Sequence, residues 1–122
     1  MAWDPSMVSW VKLNIDGSRN SQLWSLAAGG VVRYHNSQWL RGFATYRWAG
    51  NILEIELWAL FEGLNMVWDA GYKQVQVESD CSEAISLIQN GCNDNNPLWF
   101  LDQRYRRLMS KDWRCHLYHI FR

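Results

Sequence analysis

The sequence carries no net charge, because 12 Lys and Arg are balanced by 12 Asp and Glu. That excludes a surface that is basic all over, so a polyanionic partner would have to be held by a local patch or through bound metal ions. It also lacks any C-x-x-C pair. The three cysteines, Cys81, Cys92 and Cys115, are odd in number and spaced for neither a zinc cage nor a secreted disulfide framework, which points to a reducing, intracellular compartment. Nowhere does an apolar run approach the roughly 18 residues of a membrane span, and the opening residues have no basic stretch leading into an apolar one. The expectation is a protein with no membrane partner. No repeat and no low-complexity segment interrupts the chain. What is abundant is apolar and aromatic: 48% of the 122 residues are hydrophobic and nine are Trp. One domain with a real core follows. Nine indoles are too many to bury in it, so some should be exposed or covered by something outside this sequence.

Two periodicities organise the chain. After a lead over residues 1–8, Val11, Leu13 and Ile15 alternate with Lys12, Asn14 and Asp16, which predicts a half-buried strand over 10–16 ending in a turn at Asp16-Gly17-Ser18. Residues 27–34 and 38–46 read as two further strands around a turn at His35-Asn36-Ser37, together an antiparallel meander. From Ile52 to Ala70 the period becomes helical, through Leu53, Leu57, Leu60, Leu64 and Trp68, with Gly71 as the residue closing the helix. Residues 73–79 return to period two. Asp80 and Glu83 have capping-box spacing ahead of a short helix to about Asn90. Leu98, Leu101, Tyr105 and Leu108 predict another helix, with Arg104, Arg107 and Lys111 on another face, and residues 113–122 a last strand. The order is that of an α/β domain with a mixed sheet flanked by helices.

Three acids stand out in this arrangement. Asp16 ends the first strand, Asp80 ends the strand after the long helix, and Glu56 lies on that helix among apolar neighbours. A strand-helix-strand crossover favours parallel pairing, which brings both strand ends to one edge of the sheet, the usual ligand edge of α/β folds. Converging carboxylates repel unless protonated or metal-bound, and hard oxygen donors suit Mg²⁺ or Mn²⁺. Each acid also has a purely structural reading. Asp80 can be a helix cap, Asp16-Gly17 a simple turn, and Glu56 a residue at the solvent edge of its stripe, with Glu54 and Glu62 as alternatives. The basic set Arg104, Arg106, Arg107, Lys111 and Arg114 can touch phosphates or form a solvated face.

Four ordered segments carry a resemblance. Val-Lys-Leu-Asn-Ile-Asp-Gly-Ser at 11–18, Ala-Gly-Gly-Val-Val-Arg at 28–33, Glu-Leu-Trp-Ala-Leu at 56–60 with Gly63-Leu64, and Val-Glu-Ser-Asp at 77–80 resemble the type-1 ribonuclease H family, nearest its plant, reverse-transcriptase-like branch. The resemblance covers residues 9–122. It implies a ribonuclease H-like fold: a five-stranded mixed sheet, three antiparallel strands first and parallel strands after, flanked by helices. It implies an endonuclease that hydrolyses the RNA strand of an RNA–DNA hybrid by a two-metal mechanism, with Asp16, Glu56 and Asp80 as catalytic metal ligands for Mg²⁺ or Mn²⁺. Gly17 and Ser18 then become substrate-binding positions, the partner is nucleic acid, either a hybrid or RNA, and His119 matches the family's strand-end histidine. In relatives the last strand leads into a helix bearing a fourth acid. His119-Ile120-Phe121-Arg122 matches only the start of that segment, so the resemblance implies an incomplete domain without the terminal helix, and an exposed apolar sheet face. A monomer is expected unless another chain covers that face. The missing acid sets up the alternative: a catalytically impaired nucleic-acid-binding module, or a structural fragment of a retroelement-derived protein.

Overall fold

The α1 helix (Ile52–Asp69) buries Ile55, Glu56, Leu57, Ala59, Leu60, Gly63, Leu64 and Val67 along one side. Its end is chemically defined: Gly71, at φ +91°, donates to the Trp68 carbonyl, and Tyr72 donates to that of Val67. These are the two bonds of a Schellman motif, in which glycine takes the left-handed position at no steric cost. This is a computed structural model, and it describes residues 10–20, 25–34, 39–47 and 52–120, mainly as backbone in the first three segments.

The remaining elements are β1 (Trp10–Asn20), β2 (Ser25–Tyr34), β3 (Trp39–Arg47), β4 (Gln74–Ser79), α2 (Ser82–Asn90), α3 (Trp99–Met109) and β5 (Arg114–His119). The strands form one sheet in the order β3-β2-β1-β4-β5. The β1–β2 and β2–β3 pairs are antiparallel, and the β1–β4 and β4–β5 pairs are parallel. Alternation puts Val11, Leu13 and Ile15 of β1 and Val75 and Val77 of β4 in the same buried layer as the helices. On the other face, β4 and β5 place Gln74, Gln76 and Glu78 in register with Arg114, His116 and Tyr118. Lys12 pairs there with Glu78 at 3.5 Å, and the His116 ring lies 5.0 Å from that of Trp10. In its described part this face is therefore polar and aromatic. Among the described residues no helix is long and apolar enough to cross a membrane.

Two local expectations are corrected. Asp16-Gly17-Ser18 is not a turn: β1 continues to Asn20, with Asp16 opposite Gly29, Gly17 opposite Ala28 and Ser18 opposite Ala27. The long antiparallel ladder to β2 outweighs the local turn preference of Asp-Gly. Nor is Asp80 the cap of α2. Cys81 occupies that position, with no side-chain capping bond. The last strand is shorter than expected, and the predicted turn at residues 35–37 lies outside the described residues.

Helix α3 latches the loop after α2. Asp102, only 3% exposed, lies with Oδ1 3.3 Å from Arg106 Nε, while its Oδ2 accepts from the Cys92 N–H at 3.4 Å. Arg106 Nη2 in turn donates to the Ile88 carbonyl. The pattern reads Asp102 as one more helical position; its burial follows from adjoining the Leu98–Leu101–Tyr105 stripe.

Burial shifts two groups, Tyr105 of α3 and Cys115 of β5. It pushes the Cys115 thiol up to about 12, and it raises the Tyr105 phenol well above 10.0, with Cys115 and Asp102 adding to the rise. Both stay protonated in the fold at pH values where the unfolded chain has lost those protons. Above about pH 9 the unfolded state therefore binds fewer protons, and stability falls as pH rises toward 12. Melting temperature should be insensitive to these groups below pH 9 and drop beyond it. Tyr105→Phe should drop less steeply between pH 10 and 12; a parallel decline would rule the phenol out as a cause.

Candidate active site

The acidic edge is set by strand register. Ile15 pairs with Ser79, and Ser79 with His119, so Asp16, Asp80 and Ile120 step off three adjacent parallel strands at the same level. The parallel β1–β4 pairing that the crossover implied is what aligns them. The edge is tied across β5 as well: Ile120 N–H donates to the Ser79 carbonyl at 2.9 Å, and His119 Nε2 donates to that of Asp80 at 3.1 Å. His119 thus braces the Asp80 backbone.

Helix α1 delivers the third acid. Glu56 is 2% exposed, so it does not lie at the solvent edge of its stripe; Glu54 and Glu62, by contrast, are half-buried. Its Oε2 accepts a hydrogen bond from Ser79 Oγ at 3.3 Å. The same Ser79 hydroxyl oxygen accepts the Cys81 N–H at 3.1 Å. Ser79 therefore links the helix acid to the strand end immediately before Asp80. Sequence reasoning had passed over Ser79, although alternation from Val75 and Val77 puts it on the buried face, where a hydroxyl requires partners.

The electrostatics disfavour a thiol nucleophile at this edge. Burial pushes the Cys81 thiol up, and the Glu56 and Glu83 carboxylates push it further, so the thiolate is disfavoured beside the acids. Glu56 and Asp80 supply oxygen donors of the kind that Mg²⁺ and Mn²⁺ accept. Among the described residues no group of three or more potential ligands is assembled. The side chains of Asp16, Gly17 and Ser18 lie outside the described residues, and their backbone places them next along β1.

Comparison with known proteins gives the same architecture. RNase H1 from the halophilic archaeon Halobacterium salinarum superposes with a TM-score of 0.80 at 18% identity, covering 93% of this chain and 86% of that one. The N-terminal RNase H domain of a Mycobacterium tuberculosis protein, also at 0.80 and 18%, covers 93% of this chain and 83% of that one. An RNase H1 crystallised with an RNA/DNA hybrid reaches 0.73 at 17% identity, covering 92% and 86%. In sequence, an Arabidopsis thaliana protein with a provisional ribonuclease H designation is 30% identical over all 122 residues, and the chain spans a fifth (20%) of that relative's length. The family model described as reverse transcriptase-like matches residues 14–122. With a ribonuclease H-like α/β fold and a family match over nearly its whole length, the chain belongs to the reverse-transcriptase-like family.

Proposed function

We propose that this domain is a metal-dependent RNA–DNA hybrid ribonuclease, an endonuclease that hydrolyses the RNA strand, with Asp16, Glu56 and Asp80 as its catalytic metal ligands. The observation that carries the reading is the Glu56–Ser79 hydrogen bond, which ties a buried helix carboxylate to the strand end from which Asp80 emerges, in register with Asp16. Held by these carboxylates, Mg²⁺ or Mn²⁺ would supply the Lewis acidity for a two-metal hydrolysis. The protein's own part is placement. Ser79 fixes Glu56, His119 braces the Asp80 backbone, and the β1–β4 register sets the spacing of the two aspartates. Gly17 and Ser18 follow Asp16 along β1 and take the substrate backbone, where contacts to 2′-hydroxyls distinguish RNA from DNA.

Purified protein given an RNA–DNA hybrid and Mg²⁺ should cleave the RNA strand, and Asp16→Asn should reduce cleavage to background. Binding of the hybrid by a well-folded sample without turnover would replace this reading with that of a catalytically impaired binding module.

A further inference from the structure

The structure separates the basic residues on and just after α3 into two groups with different tasks. Arg106 turns toward Asp102 and the Ile88 carbonyl and belongs to the fold. Arg104, Arg107 and Lys111 instead line a groove of about 310 Å³ between α1 and α3, together with Phe61, Asn65 and Leu108. Among the described residues no carboxylate lines that groove, and none of the three cations has an ion-pair partner.

Rings continue the groove in both directions. Toward the start of α3, Arg104 lies 5.7 Å from the Trp58 ring and 5.9 Å from Phe61, and the Phe100 ring, 42% exposed, packs 5.9 Å from Trp58. At the far end Lys111 lies 5.3 Å and Lys73 3.6 Å from the Trp68 ring. The two helices run side by side here, so cations and rings alternate along one seam. Arg104 and Arg107 lie one helical turn apart, about 4.5 Å along the axis of α3, and Lys111 lines the same groove just past the end of that helix.

We propose that the α1–α3 seam binds single-stranded nucleic acid, with Arg104, Arg107 and Lys111 on successive phosphates and the exposed Phe100 ring stacking on a base. Charge alone would suit an acidic peptide equally well. The interleaved rings favour unpaired bases, because only those present free faces for stacking, and rings and guanidinium planes both serve as stacking surfaces. The seam lies along the helices, whereas the Asp16–Glu56–Asp80 edge lies at the strand ends, so the two sites are separable by mutation. A neutral molecule thereby gains the local basic patch that its overall charge denies it.

The test is fluorescence anisotropy of a labelled eight-nucleotide oligouridine with the full chain in EDTA, where no metal supports cleavage. The triple variant Arg104→Gln, Arg107→Gln, Lys111→Gln should weaken binding at least about tenfold and reduce the slope of log affinity against log salt by about 2, at roughly 0.7 per phosphate contact. Phe100→Ala should weaken it about fivefold or more through lost stacking, with an unchanged melting temperature. Because the measurement is made in EDTA it does not depend on the metal-bound acidic edge, which keeps this site's failure distinct from failure of that edge. The proposal is overturned if the folded triple variant binds like the parent, or if polyglutamate displaces the oligonucleotide at equal concentration.

Discussion

Replacing Glu56 with glutamine should cut Mg²⁺-dependent hydrolysis of a hybrid by about a thousandfold or more, because several kcal/mol of metal-assisted stabilisation depends on a charged ligand and each 1.36 kcal/mol is a factor of ten. Glutamine keeps the volume of the buried side chain and an oxygen to accept the Ser79 hydroxyl, a bond of 3.3 Å in the parent. The melting temperature in metal-free buffer should therefore stay within about 2 °C of the parent, since a near-isosteric swap that keeps its partner costs little. Added Mg²⁺ should raise the parent's melting temperature and leave the variant's unmoved. The half-buried Glu54 and Glu62 provide the contrast: Gln at either position should leave the rate within about threefold of the parent, as surface-edge changes do. Parent-like turnover in Glu56→Gln would remove the helix acid from the mechanism.

Ile15→Ala should have the largest effect on stability. Ile15 is buried, sits opposite Gly30 in β2, and pairs with Ser79 in β4 immediately before Asp16. Truncation removes its transfer free energy and leaves a cavity that a close-packed sheet–helix layer cannot fill, a loss of about 2–5 kcal/mol. A domain of this size holds only about 5–15 kcal/mol in total, so the melting temperature should fall by roughly 10 °C or more. Chemical denaturation should show a lower midpoint at unchanged slope. A shift below about 1 kcal/mol would mean that the β1–β4 layer is not the core that positions the acids.

How much of this could be read from the sequence differs by element. The long helix was legible because its stripe repeats over several turns and Gly71 closes it, and β4 was legible because 74–79 alternates cleanly. The end of β1 was not. Asp-Gly has a strong local turn preference, and only pairing with β2, a partner distant in sequence, overrides it. Asp80 looked like a cap for a similar reason, since capping spacing is local information, whereas the Cys81 N–H that Ser79 captures is fixed by the strand end. At the acidic edge, the three residues could be nominated from position and motif. Which glutamate is buried, and that Ser79 holds it, required the α1–sheet packing. Asp102 shows the same limit: nothing in its spacing marks a helical aspartate as the latch for the preceding loop.

Asp16, Glu56 and Asp80 are proposed to form one cation site. Titrating metal-free protein with Mn²⁺ and counting free ion by electron paramagnetic resonance tests it without relying on turnover. The parent should bind Mn²⁺, and Asp16→Asn, Glu56→Gln and Asp80→Asn should each weaken that binding by about tenfold or more, since each removes a hard anionic donor. Binding that is unchanged in all three variants would mean that these carboxylates do not hold the ion.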